Sequence, residues 1–134
     1  MYEQRPTAQM VESDPTGLSP HESGAKLDHG KVRPALVLGG FARALWAVSE
    51  VGSFGAMKYT ENGWVTVPNG KARYEDADLR HWLKDKMGQE NDEDSNLTHL
   101  AHKACNALAA LDLALREKEN KVMPPLPTIG DTRW

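Results

Sequence analysis

DLRHWLKDKMG (78–88), QENDEDSN (89–96) and LTHLAHKACN (97–106) read as two helices joined by an acidic loop. On the first, Asp78, His81 and Asp85 fall at i, i+3 and i+7, a spacing that keeps them on one helix face. His99, His102 and Asn106 repeat that spacing on the second. Between them the loop carries Glu90, Asp92, Glu93 and Asp94. Packed antiparallel, two such helices aim imidazoles and carboxylates at one cleft, and such a cleft suits a divalent metal.

Working outward, the pattern predicts an all-α fold. One helix spans about 74–87, with Leu79, Leu83 and Met87 as its apolar stripe and Gly88 as its stop. The next begins near Ser95 or Asn96, either of which can cap it, and runs to about Lys118. Its apolar positions Leu97, Leu100, Ala104, Leu108, Leu111 and Leu115 advance in steps of three and four, the pattern of a helix inside a bundle. Upstream, Pro34 opens a helix with a stripe at Leu38, Phe41, Leu45 and Val48. Gly39 and Gly40 weaken its early turns by roughly 1 kcal/mol each relative to alanine, so it is expected to firm up from Phe41 and to end at Glu50. A short helical piece and a turn at Asn62-Gly63 follow, and 65–69 reads as a short extended piece with no second strand to pair with. The expectation is a small helical bundle over 24–119. A loosely ordered N-terminal arm (1–23) and a Pro-rich C-terminal tail (120–134) flank it.

The chain has 134 residues, 40% of them apolar, which fits one globular domain. A net charge of −3 offers no concentrated basic face for a nucleic acid polymer. Cys105 is the single cysteine, so neither an intramolecular disulfide nor a thiolate zinc cage is available; among Ala104, Ala107 and Leu108 it reads as a small core residue. The N-terminus lacks an apolar signal core and no run approaches a bilayer-spanning length, so a cytoplasmic protein without a membrane partner is expected.

Two further stretches carry chemistry. GAKLDHGKVRP (24–34) sets Lys26, Asp28, Lys31 and Arg33 among glycines whose freed amides can cradle phosphate; the same residues also make an ordinary polar turn before a helix. Lys58, Tyr59 and Trp64 bring a cation and two aromatics together, either to stack a nucleobase or to close the edge of a small core. With Arg80 added, the cations Lys31, Arg33, Lys58 and Arg80 can neutralise a polyphosphate. Two carboxylates and a histidine bind Mn²⁺ or another borderline ion, whereas Mg²⁺ prefers oxygen ligands. A metal so held clamps phosphate oxygens and activates water for attack on phosphorus. No Gly-x-Ser-x-Gly elbow, His-Glu-x-x-His or zinc-deaminase cysteine pair is present.

GAKLDHGKVRP, FGAMKYTENGW, YEDADLRHW and the acidic run ending in SNLTHLAHKACNALAALDL resemble small phage and prophage proteins described as dATP/dGTP diphosphohydrolases, which are similar to the MazG-like all-α NTP pyrophosphohydrolases. The resemblance covers roughly 24–115. It implies a MazG-like helical homo-oligomer, a dimer or tetramer, in the cytoplasm of a phage-infected or lysogenic bacterium. Its substrate would be a purine deoxynucleoside triphosphate, cleaved to monophosphate and pyrophosphate with Mg²⁺ or Mn²⁺. The positions it carries over are Lys26, Asp28, Lys31, Lys58, Tyr59, Trp64, Arg80, His81, Asp92, His99, His102 and Asn106. Where the larger MazG-like group uses Glu-x-x-Glu and Glu-x-x-Asp, this chain has Asp78-x-x-His81 and His99-x-x-His102. Asn96 stands where a glycine is expected, and it tolerates a left-handed backbone.

The expected roles follow. His81, Asp92 and His99 serve catalysis and the metal, with Asp78 and His102 as supporting ligands. Lys26, Asp28, Lys31, Arg33, Lys58, Tyr59, Trp64, Arg80 and Asn106 hold the nucleotide. A different class sharing the cradle and aromatics is a non-catalytic protein that sequesters a nucleotide signal of host defence. It gains little from acids near an anionic ligand. A helical oligomer with structural histidines is a third.

Overall fold

The computed structural model describes residues 11–122, in two units, 11–40 and 41–122, each described here by itself. The first is mostly turns and ends in α1 (Pro34–Gly40), which opens on proline as expected. Asp14 organises it: one carboxylate oxygen accepts from the Lys26 amide at 2.7 Å and the other from the Thr16 amide and hydroxyl.

The second unit is helical: α2 (Ala42–Lys58), a 3-10 turn (Gly63–Thr66), α3 (Gly70–Lys86) and α4 (His99–Val122). No strand occurs among the described residues, only an isolated antiparallel bridge between Asn91 and Thr98. The all-α small bundle read from the sequence is the observed class. No single described helix is long and apolar enough to cross a membrane. Any structure of the Pro-rich tail from residue 123 onward lies outside the described residues, as does that of residues 1–10 of the arm.

Several boundaries differ from expectation, each for a local reason. α2 does not end at Glu50 but continues to Lys58, because Val51 is buried and the helix packs on α4, which outweighs the weak propensity of Gly52 and Gly55. Of the extended piece expected at 65–69, Val65 and Thr66 fall in the 3-10 turn, which is entered from Asn62 in the left-handed region, and Asn69 is left-handed too. Val67, restricted by Pro68, is extended. α3 starts at Gly70 rather than Tyr74; Gly70 is buried, and a Cβ there would stand 3.0 Å from Leu113 Cδ1. α4 starts at His99 rather than near Ser95 or Asn96. Asn96 is left-handed (φ 59°), and Thr98 caps the helix, its Oγ1 accepting from the Ala101 amide at 3.1 Å.

α3 and α4 run antiparallel, since Gly70 meets Leu113, Asp78 meets Lys103, and His81 meets His99 and His102. The face that α3 turns inward holds Tyr74, Ala77, Asp78, His81 and Asp85. The stripe expected to be core is exposed: Leu79 at 55%, Leu83 at 51% and Met87 at 76%. On α4, likewise, Leu100, Leu108 and Leu111 are exposed while Ala101 and Ala110 are buried. Small side chains let the helices approach closely, and the polar face supplies the contact.

Candidate functional site

The loop between α3 and α4 is a hydrogen-bonded hairpin. Gly88, in the left-handed region, ends α3 in a Schellman arrangement, with Gly88 N–H donating to Asp85 O and Gln89 N–H to Lys84 O, both at 3.0 Å. Asp92 N–H then donates to Leu97 O at 2.8 Å and His99 N–H to Glu90 O at 2.9 Å, drawing the acidic run back over the start of α4. Asp92 Oδ2 accepts from the Asp94 amide (3.1 Å), the Ser95 amide (2.9 Å) and the Ser95 hydroxyl (3.1 Å).

This hairpin delivers Asp92 to the histidines. His81 Nδ1 lies 2.7 Å from His99 Nδ1, and the His81 ring stacks on His102 with centroids 4.5 Å apart and planes within 10°. Ligand atoms of His81, Asp92 and His99 all lie within 4.8 Å of one another. His99 is fully buried, and its Nε2 has no hydrogen-bond partner. Burial, then the His102 and His99 imidazoles, push His81 down to about 4, so its ring is neutral near pH 7. Burial likewise lowers His102, although Asp92 opposes it. For Asp92 burial alone would raise the carboxyl. The Ser95 amide and hydroxyl, helped by His102 and His81, hold it below the usual carboxylate range.

His81, His102 and Asp92 line a cleft of about 1190 Å³ in the second unit. That exceeds the roughly 300–1,000 Å³ common for small-molecule sites. Of the other expected residues of this unit, Lys58, Tyr59, Trp64, Arg80 and Asn106 line it too. Lys58 is ion-paired with Asp94, and its ammonium lies 5.5 Å from the Tyr59 ring centroid. Trp64 has the Arg116 guanidinium 5.4 Å from its ring centroid, and Arg116 Nε donates to Asp112 at 2.6 Å. Asn106 donates to the His102 carbonyl at 2.8 Å. Asp78 lies outside the His81–Asp92–His99 group; its carboxylate accepts from Lys103 Nζ at 2.9 Å. Lys26, Asp28, Lys31 and Arg33 belong to the first unit, where Asp28, Lys31 and Arg33 share a depression with Gly30, and Lys31 pairs with Glu12 at 3.1 Å.

Ser95 reads from the sequence as a helix cap and not as a residue of the site. Its hydroxyl lies 2.6 Å from His102 Nε2 as well as 3.1 Å from Asp92. The local signal was there, since an aspartate followed three residues later by serine is a frequent side-chain turn. The reach to His102 has no local signature.

Neither the curated proteins nor the solved structures yield a match to this chain. Residues 21–122 do match the family model described as dATP/dGTP diphosphohydrolase, N-terminal, and this span contains every element just described. The chain therefore belongs to the dATP/dGTP diphosphohydrolase N-terminal family.

Proposed function

We propose that this protein hydrolyses a purine deoxynucleoside triphosphate, dATP or dGTP, to the monophosphate and pyrophosphate with the help of a divalent ion. The convergence of His81 and Asp92, at the wall of the cleft, with the buried His99 behind them carries this reading, and the family's description supplies the substrate class. Two imidazoles and a carboxylate fit a borderline ion such as Mn²⁺ better than Mg²⁺. His81 and His99 would hold it with Asp92. When bound, the ion offsets polyphosphate charge and lowers the pKa of water.

The chain's own residues do the rest. Lys58 and Arg80, both lining the cleft, meet phosphate oxygens. Tyr59 is exposed and offers a ring for the base, and Trp64 braces that region through Arg116. Hydrolysis puts the water oxygen on phosphorus and breaks the bond to the bridging oxygen, which leaves with the other product. The proton released has an acceptor at Asp92, whose carboxyl is ionised near pH 7 and has a second oxygen beside the one offered to the ion.

The functional form in this reading is a homo-oligomer. Among the described residues the buried apolar side chains are Val51, Ala101 and Ala110, while Trp46, Leu79, Leu83 and Met87 are exposed. A second copy would cover them.

The test incubates pure protein with each dNTP and NTP, with and without Mn²⁺ or Mg²⁺, and separates the products. Metal-dependent formation of dAMP or dGMP with pyrophosphate is the expected result. Intact nucleotide recovered in a tight stoichiometric complex would replace hydrolysis by sequestration.

A further inference from the structure

We propose that Ser95 is a positioning residue, accepting a hydrogen bond from His102 Nε2–H and donating one to Asp92 Oδ2, so that the hairpin locks the imidazole on which His81 stacks.

The assignment follows from counting donors. The Ser95 hydroxyl has one proton and two lone pairs. It lies 2.6 Å from His102 Nε2, 3.1 Å from Asp92 Oδ2 and 3.2 Å from the Leu97 amide nitrogen. The Leu97 N–H can only donate, which takes one lone pair. The ionised Asp92 carboxylate can only accept, which takes the proton. The remaining lone pair faces His102 Nε2, and a hydrogen bond there requires that nitrogen to carry a proton. All three contacts are then satisfied, and the neutral His102 ring is held as the Nε2–H tautomer with Nδ1 bare.

Two consequences follow for the centre. His102 Nε2 is committed to Ser95, so it is not offered to an ion, in keeping with the convergence of His81, Asp92 and His99 without it. The fixed His102 ring also limits rotation of the His81 ring stacked on it at 4.5 Å, and so helps keep His81 Nδ1 directed at His99. Ser95 acts on the reacting groups only through these neighbours. Its importance for turnover rests on the hydrolase reading above, whereas the tautomer does not.

Long-range ¹H–¹⁵N correlation spectra of the histidine rings, recorded on protein free of metal and nucleotide, test the proposal directly. In the wild type His102 is expected to show a protonated Nε2 and an unprotonated Nδ1 near pH 7. An Nε2 without a proton would overturn the assignment without recourse to any variant. In Ser95→Ala the His102 signals should shift toward a tautomer mixture, and Ser95→Thr, which keeps the hydroxyl, should restore them. Retention of the wild-type pattern in Ser95→Ala would also overturn it. If the wild type turns over nucleotide, Ser95→Ala should lower kcat about 10-fold or more with KM little changed, and Ser95→Thr should recover it. Should the protein prove not to be a hydrolase, the spectra still decide the relay.

Discussion

His81 Nδ1 and His99 Nδ1 stand 2.7 Å apart, joining a ring that lines the cleft to one that is fully buried. In the absence of an ion this is a hydrogen bond in which one ring donates and the other accepts. The two residues are therefore expected to respond differently to removal. His81→Ala should lower affinity for Mn²⁺ by more than the roughly 10–100-fold typical of losing a partner of a metal ligand, with helical content retained. His99→Ala should also destabilise the fold by about 1–3 kcal/mol, because it empties a buried site and leaves His81 Nδ1 without its partner. Calorimetric titration with Mn²⁺ and thermal melts of both variants separate the effects; equal melting temperatures would contradict the division.

Lys58, at the end of α2, pairs with Asp94 of the hairpin, and this bond raises the ammonium's pKa. A phosphate arriving at Lys58 must compete with that carboxylate. Asp94→Asn should therefore lower KM for nucleotide by on the order of two- to five-fold, as expected for release from an exposed pair. The gain should shrink as salt rises. A KM that is unchanged or increased at low salt would show that Asp94 does not compete.

The exposed stripe of α3 makes self-association measurable. Sedimentation of the wild type should give a mass at least twice the 14.8 kDa of the chain. Leu83→Lys, which places a charge on that stripe, should shift it toward the monomer. A wild-type monomer at high concentration would refute the covering by a second copy.

Acid should loosen the first unit through Asp14. Hydrogen bonds from Thr16 and Lys26 lower this carboxyl from 3.8 to about 2. Because the folded value is depressed, its contribution is present above about pH 3.8 and is lost as pH falls through about 2. The protection of the Lys26 amide, relative to its intrinsic exchange rate at each pH, should fall across that window. Asp14→Asn should show fast exchange already at neutral pH, and protection unchanged in that variant would remove Asp14 from the account.

The polar face of α3 was legible in the sequence because helical periodicity alone puts Asp78, His81 and Asp85 together, whichever way the face turns. Gly88 as the stop was equally local. What periodicity does not carry is the direction of burial: Leu79, Leu83 and Met87 look like core on the assumption that one chain covers its own apolar stripe. The start of α4 was misread because Ser95, Asn96 and Thr98 are all capable caps, and the choice depends on Ser95 being engaged by Asp92 and His102. The approach of His81 to His99 and Asp92 needed the antiparallel register, which Gly70 against Leu113 sets at the far end of the helices.

The hairpin between α3 and α4 has a kinetic corollary. Its backbone is tied at Asp92 to Leu97, at Asn96 to Asp92 and at His99 to Glu90, so Asp92 is already in place when a ligand arrives. Binding at such a rigid rim loses little loop entropy and needs no slow closure. Encounter with an anionic nucleotide should then be governed by diffusion and by the local field, in which Lys58, Arg73 and Arg80 of the cleft work against the acids of the rim.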